Sequence, residues 1–533
     1  MDLFQTNFTS LDWGIVLIYL AGSAVVGLWA NKYVGNLSDY LVAGRTLRIR
    51  LALASMTGTE LGLVTVMYMS QLGFTNQYAA LYLGVLEAVA LLIVGGTGFV
   101  VVKLRQSAVM TIPEYYEKRY SSGVRVLGGT VMVLAGVLNM GLFLKAGSIF
   151  VTALTGLSDP QLLKWVMTGM LLLVLFYTVL GGMVSVVITD LIQFFVLGIS
   201  LLIACGFILG NLELDGLQKI ATDQFGYVNP FDSTKPYNSE TKEAAFNVLK
   251  ETDRNGIGFM TLLKDLIVVG AACFLWPTTA SRTLSVKNTQ VARQLYFWSA
   301  IPLLARRAIP VLLGLGAFAY FATNIDLGNE FMQQVQQEKV STLSAMPLYL
   351  AKLIPTGLLG IIAAGMLAAF MSTHDTYLLT WSSVITQDIC APLFGPISQR
   401  TRILITRISI VVIGIMLLIW GLWYELSSDL WVYLAITGTI YFAGALPAIV
   451  GGLYWKRGTS QAATVSILLG LTGVFALEAP VVWLDAQLHA ISLFSENTHL
   501  TPDIMTIFTF VLASTGYVIT SLLTYKPDQH QTV

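Results

Sequence analysis

Apolar runs of about twenty residues, set apart by short polar stretches, recur along the whole chain. A run of that length, wound as a helix, matches the hydrocarbon core of a bilayer, about 30 Å thick. The pattern predicts about 13 spanning helices. They lie near 12–31, 47–73, 77–103, 124–155, 162–181 and 184–211, then near 256–281, 291–323, 356–388, 400–422, 428–455, 459–481 and 503–525. The longest polar insertion, 212–255, carries turn residues and then a short helical stretch, which reads as a surface cap over the bundle. The stretch from Asn324 to Leu343 reads the same way.

Two runs break the pattern from within. In the ninth, GIIAAGMLAAFMSTHDTYLLTWSSVITQDIC, a lipid-compatible helix turns polar at Ser372 without losing its helical period. Ala369, Ser372, Thr373 and Thr376 share one face at i, i+3, i+4 and i+7, and Thr380 and Ser383 continue the stripe. Asp375 stands beside it. An ionisable group inside a spanning helix costs about 2.5–3.5 kcal/mol on insertion scales, so it faces a partner, a cavity or an ion. Hydroxyls with a carboxylate suit a hard cation such as Na+; hydroxyls alone also glue helices together. A continuous helix from Thr356 to Asp388 would reach about 50 Å, so this span has to tilt, bend or project beyond the bilayer. In the second run, LALASMTGTELGLVTVMYMSQLGF, the segment from Thr57 to Gly62 interrupts an apolar helix. An unwound turn there would free carbonyls near Ala54 and Thr57, which a membrane tolerates only where they line a cavity or bind something. The alternative is a close glycine contact between helices, Gly58 to Gly62.

Composition agrees with this reading. Of 533 residues, 55% are hydrophobic and only 11% charged, against about 25% charged in soluble domains. The chain is read as an all-α polytopic protein of the plasma (inner) membrane, with the lipid bilayer as its surroundings. Net charge is zero and no basic block points to nucleic acid. Cys205, Cys273 and Cys390 show no metal or disulfide spacing. Asp2 and Asp12 stand where a signal peptide would carry positive charge, so no cleaved leader is expected. Lys and Arg gather in alternate loops: Lys32, Arg45, Arg48 and Arg50; Lys103 to Arg125; Arg282, Lys287 and Arg293; Arg400 and Arg402; Lys456 and Arg457; and Lys526. The positive-inside rule then places the N-terminus outside and the C-terminus in the cytoplasm.

Four segments in order resemble the sodium:solute symporter family. MTIPEYYEKRY (Met110–Tyr120) is similar to the loop after the third span, and YTVLGGMVSVVITDLIQ (Tyr177–Gln193) to the family's Gly-Gly…Thr-Asp motif. SRTLSVK (Ser281–Lys287) resembles its Gln-Arg-Thr-Leu loop, and AAFMSTHDT its sodium-binding helix. The resemblance implies a LeuT-type core of two inverted five-helix repeats. The core would span 47–455, with repeats of about 47–211 and 256–455 flanking the outer loop 212–255. Residues 1–46 would add one helix before it, and 456–533 two helices after it. The family's Na+ ligands fall on the carbonyls of Ala54, Thr57 and Ala369 and the hydroxyls of Ser372 and Thr373. Asp190, Asp375 and Thr376 fall where some members hold a second cation, with Asp375 replacing a serine.

The family's solute pocket maps onto Glu60, Leu61, Glu87 and Arg306. The bland reading of Glu60, Glu87 and Arg306 is a structural ion-pair network. Arg306 and Arg307 are adjacent, about 100° apart on a helix, so only one is expected to face the core fully. An arginine fork matches a carboxylate, and the pocket offers both signs. The expected function is Na+-coupled symport of a small organic solute, carboxylate-bearing or amino acid-like, by alternating access. Two alternatives remain: a sodium/sugar-type symporter, and a sensor that binds without transporting, although only YKPDQHQTV follows the last span. A membrane enzyme is not expected, since Ser372 and His374 diverge on the helix and no nucleophile, base and orienter come together. Oligomeric state is left open.

Overall fold

The computed structural model describes residues 3–30, 47–157, 159–211, 228–229, 232–236, 257–395, 397–423, 430–490 and 499–526. Among these, eleven helices are long and apolar enough to cross a membrane, and two bent helix pairs bring the number to 13. In chain order they are span 1, Ser10–Gly27; span 2, Ile49–Glu60 with Leu63–Thr75; span 3, Gln77–Thr97; span 4, Ser122–Thr155; span 5, Gln161–Leu180; span 6, Ser185–Gly210; span 7, Gly258–Ser285; span 8, Thr289–Thr323; span 9, Leu358–Phe394; span 10, Gln399–Trp423; span 11, Leu430–Tyr454; span 12, Ser460–Ala476 with Glu478–His489; and span 13, Pro502–Thr524. Most of the 212–255 insertion lies outside the described residues; a short antiparallel pair, Val228–Asn229 with Asp232–Pro236, is what is described of it. Lys32 and Arg45 of the first basic loop also lie outside them. The Asn324–Leu343 stretch forms a 12-residue amphipathic helix, Ile325–Gln336, with Leu327, Phe331 and Met332 buried beneath it.

Span 2 is two helices, Ile49–Glu60 and Leu63–Thr75, meeting at 59°. The break lies later than the sequence suggested. Helix continues through Ala54 and Thr57, Leu61 N–H closes on the Thr57 carbonyl at 2.9 Å, and the chain turns at Leu61 and Gly62. Gly62 is required here, because a Cβ would collide with the Thr373 hydroxyl of span 9.

Span 7 carries a second break that the sequence reading missed. The helix Gly258–Leu275 ends at Trp276, whose backbone is extended (φ −61°, ψ 124°), and a half-helix Pro277–Ser285 starts at once. The signal was Pro277: it disfavours helical backbone in the residue before it and sits well at the first position of a new helix. Spans 2 and 7 are the first spans of the two expected repeats, and broken helices in matching positions mark binding sites in transporters of this build.

The remaining spans position those breaks. Gly182 (φ 55°) ends span 5 and turns the chain into span 6. Span 6 packs along span 9 where Gly365 admits the Ser200 side chain, whose hydroxyl bonds the Ile361 carbonyl at 2.8 Å. Span 9 begins against Asp12 of span 1, whose Oδ1 accepts the N–H groups of Gly357 and Gly360, both at 2.7 Å. It runs as α-helix from Leu358 to Val384, passes through a π-helical turn, Ile385–Cys390, and ends at Phe394. The π-helical turn changes the pitch only locally, so the span keeps most of its extra length. Close glycine contacts, Gly73 and Gly314, draw the second half of span 2, Leu63–Thr75, against span 8. Gly84 of span 3 admits Leu304 and Arg307 of span 8, which brings Glu87 to the same level.

Candidate functional site

Both breaks open onto one buried cavity of about 130 Å³, far above the about 10–15 Å³ that one water needs and enough for a small organic solute. Its walls are aromatic: Tyr68, Phe143, Trp276, Tyr377, Trp431 and Phe442. Glu60, Glu87, Arg306 and Arg307 supply the charge, and Thr59 and Thr373 lie in its lining.

The charges pair closely. Arg306 Nη1 donates to the Glu60 carbonyl at 2.5 Å and to Glu60 Oε2 at 3.0 Å. Its Nη2 reaches both oxygens of Glu87, at 2.7 and 2.9 Å. Arg307 also bonds Glu87 through Nε, and its Nη1 donates to the Tyr68 hydroxyl at 3.0 Å. Both arginines therefore face the core. Adjacent Cα–Cβ bonds diverge on a helix, but a long, flexible arginine stem reaches around the face. Glu60 Oε1 accepts hydroxyls from Thr278 and Thr279, at 3.0 and 3.1 Å, in the first turn of the span 7 half-helix. A carboxylate at a helix N-terminus is favoured by the dipole, and Glu60 in this way ties the two breaks together. Glu60, Glu87 and Arg306 all line the cavity, and they do so as an ion-pair network. Leu61 is buried at the break and takes no part in the cavity wall. Of the Arg306 donors, Nε is buried with no hydrogen-bond partner.

A second cluster lies beside Thr373, where spans 2, 6, 7 and 9 meet. Asp190 is fully buried. Its Oδ1 accepts the Ser372 hydroxyl at 2.5 Å; its Oδ2 faces Thr59 at 3.2 Å and Ser55 at 3.4 Å. Asp375, also fully buried, accepts the Tyr177 hydroxyl at 3.0 Å and a longer bond, 3.4 Å, from Thr376. Thr376 and Thr59 oxygens stand 3.5 Å apart and link the two acids. Arg282 Nη2 donates to Thr59 at 2.9 Å and lies 3.4 Å from Asp190. Arg282 was expected in a cytoplasmic loop; it is buried on the half-helix, a position that the polar look of its segment concealed.

Of the Na+ ligand candidates, Ser372 belongs to this cluster and Thr373 follows it on span 9. Ser372 Oγ bridges Asp190 and the Gly58 carbonyl (3.5 Å), and Thr373 donates to the Ala369 carbonyl at 2.9 Å. The Thr57 carbonyl already accepts Leu61 N–H, yet each carbonyl has a second lone pair to offer. Thr57 Oγ1 is buried without a partner. His374 donates Nδ1–H to the Phe370 carbonyl and lies between the Phe143 and Phe370 rings, in apolar surroundings that suit neutral imidazole.

Comparison with known proteins identifies the family. A sequence model of the sodium:solute symporter family matches residues 40–470. Among curated relatives, a sodium/proline symporter of Haemophilus influenzae is 28% identical, over 96% of this chain and 94% of its own. A sodium/glucose cotransporter of Vibrio parahaemolyticus is 23% identical over 88% and 86%. A solved structure of a Na+-coupled sialic acid symporter, in a substrate-bound outward-open state, superposes with a TM-score of 0.72 at 19% identity, covering 96% of this chain and 97% of that one. Multi-pass and helical, with Na+ as the co-transported ion, this chain is a transporter rather than an enzyme and belongs to the sodium:solute symporter family.

Proposed function

We propose that this protein imports a small zwitterionic or carboxylate-bearing solute, amino acid-like, in symport with Na+. The observation that carries the reading is that the solute cavity and the cation cluster share residues. Thr59 and Thr373 line the cavity, while Thr59 bonds Asp190 and Thr373 is a candidate Na+ ligand. An ion seated on Ser372, Thr373 and the carbonyls of Ala54, Thr57 and Ala369 would hold span 9 to the first half of span 2. That would fix the side of the cavity that the solute meets. Asp190, Asp375 and Thr376 are the proposed second cation position.

The charged ring favours a solute with both signs. Glu60 is the most exposed of the four, 15% for its side chain against 4–10% for the others, and an ammonium group would find it between aromatic walls. The unpartnered Arg306 Nε is the donor left for a carboxylate. The relative named a sodium/proline symporter supports the same class.

The proposed core is 47–455, flanked by 1–46 and 456–533, with the N-terminus outside and the C-terminus in the cytoplasm. Each charge entering down 100 mV contributes about 2.3 kcal/mol, roughly fifty-fold accumulation. Uptake of labelled proline and other amino acids into proteoliposomes, with and without an inward Na+ gradient, tests the reading. Gradient-driven uptake of a neutral sugar that no carboxylate competes with would overturn the solute class. Solute binding without uptake would favour a sensor.

A further inference from the structure

The geometry points to a binding site for a divalent transition metal, zinc before others, formed by Asp485, His489 and His499, none of which lines the transport cavity. The chain has only four histidines, and two of them converge here on one carboxylate. Span 12 bends by 91° between Ser460–Ala476 and Glu478–His489. Asp485 and His489 lie four residues apart on that second leg and share a face. His499 comes from the segment that leads into span 13, just before its N-cap, Thr501.

The distances suit a metal. His489 Nε2 lies 3.6 Å from Asp485 Oδ1, and His499 Nδ1 lies 3.2 Å from Oδ2. All three candidate ligand atoms fall within 4.8 Å of one another. Zinc bonds of about 2.0–2.2 Å at a tetrahedral angle separate ligand atoms by about 3.3–3.5 Å, so little movement is needed to close on an ion. Asp485 Oδ1 also accepts Leu500 N–H at 2.7 Å, which holds the carboxylate in place. A hydrogen-bonded turn between Asp485 and residues 499–500 would account for His499 and Leu500. The i, i+4 spacing on the second leg brings the His489 imidazole to the same carboxylate.

The donor set selects the ion. Two imidazoles and one carboxylate, with a fourth position open to water, are a zinc arrangement; Na+ and Ca2+ prefer sites made of oxygen alone. Access is not limiting, since the His499 side chain is 66% exposed and the other two are 18% and 26% exposed. A bound ion would clamp the second leg of span 12 to the start of span 13. Asp503, four residues after His499, bonds Lys264 of span 7 at 2.8 Å. The clamp therefore lies four residues from a contact with the transport core.

Full-length protein without a polyhistidine tag, in detergent micelles, is titrated with Co2+ and then Zn2+. The expected result is one metal per chain, the visible absorption of four-coordinate cobalt, and its displacement by zinc. His489→Ala, His499→Ala and Asp485→Asn should each weaken zinc binding by about tenfold or more. Thermal unfolding in metal-free buffer should change little for His499→Ala, whose side chain is the most exposed. His530, outside the described residues, is kept in every variant and so cancels. No zinc binding by wild type at about 100 µM, or equal binding by wild type and the His489→Ala/His499→Ala double variant, would overturn the assignment.

Discussion

In the cavity, Glu60 and Glu87 meet Arg306 and Arg307; in the cation cluster, Asp190 and Asp375 share a single arginine, Arg282. Both regions are buried, and both draw their acids and bases from spans far apart in sequence. In formal charge one balances and the other is short of one positive charge. A buried ion pair persists where geometry and hydrogen bonds offset desolvation, whereas a surplus buried charge has nothing to offset it. The cavity is therefore balanced without an added ion, while the cluster at Asp190 is the one we propose takes one. On that proposal, the Na+ that the family co-transports would supply the missing charge from solution. The difference teaches where to look for coupling: at the region whose own residues do not balance.

Removing one acid from each region should have opposite consequences. Glu87→Gln leaves Arg306 and Arg307 facing Glu60 alone, and breaking a buried pair from one side costs about 3–5 kcal/mol. Thermal unfolding of purified protein should show that loss at any Na+ concentration, and Glu87→Gln/Arg307→Gln, which removes one charge of each sign, should recover part of it. An unaffected Glu87→Gln protein would mean that the ring is not a closed network. Asp375→Asn should do the reverse. It removes the surplus charge, so stability without Na+ should hold or rise by about 1–3 kcal/mol, and the extra stabilisation that Na+ gives wild type should shrink. If Asp375→Asn instead unfolds more easily in the absence of Na+ and keeps the full Na+ response, the charge argument fails.

Much of this was legible beforehand because lipid enforces it. Thirteen apolar runs could be read directly, since a spanning helix needs about twenty apolar residues and tolerates few charges. The hydroxyl stripe and Asp375 stood out for the same reason. What escaped was set by long-range packing. Gly58 and Thr57 look like a break, yet the helix continues through them, and the chain turns at Gly62 because Thr373 arrives there from span 9. Arg282 sits in a polar, loop-like segment, and only the fold places it against Asp190, 92 residues away in sequence. Tyr177, the hydroxyl that holds Asp375, is 198 residues from it. The second break, at Trp276 and Pro277, did carry a local mark that went unread.

Smaller effects sharpen the comparison at the cation cluster. Ser372→Ala removes a hydroxyl that reaches both Asp190 and the Gly58 carbonyl, and Thr373→Ala removes one that lines the cavity as well. Each should weaken Na+ binding by at least about tenfold, or 1.4 kcal/mol, read as a shift in the Na+ concentration that half-stabilises the protein. Unchanged Na+ affinity in both would move the ion away from span 9.

Thr57→Val should have the smallest effect. The proposed ligand at this position is the carbonyl, which the substitution keeps. The hydroxyl oxygen is buried and makes no hydrogen bond, so its desolvation is not offset by a partner. Replacing an unsatisfied buried hydroxyl by a methyl of similar shape is nearly neutral or mildly stabilising, within about 1 kcal/mol. Valine is also a poor helix former, but only by a few tenths of a kcal/mol, and threonine is no better. Unfolding temperature and Na+ affinity should therefore both stay close to wild type. A Na+ affinity that falls as far in Thr57→Val as in Ser372→Ala would show that the Thr57 hydroxyl is itself a ligand. The ion would then lie nearer the span 2 break, beside the cavity, and the boundary between the balanced region and the unbalanced one would have to be redrawn there.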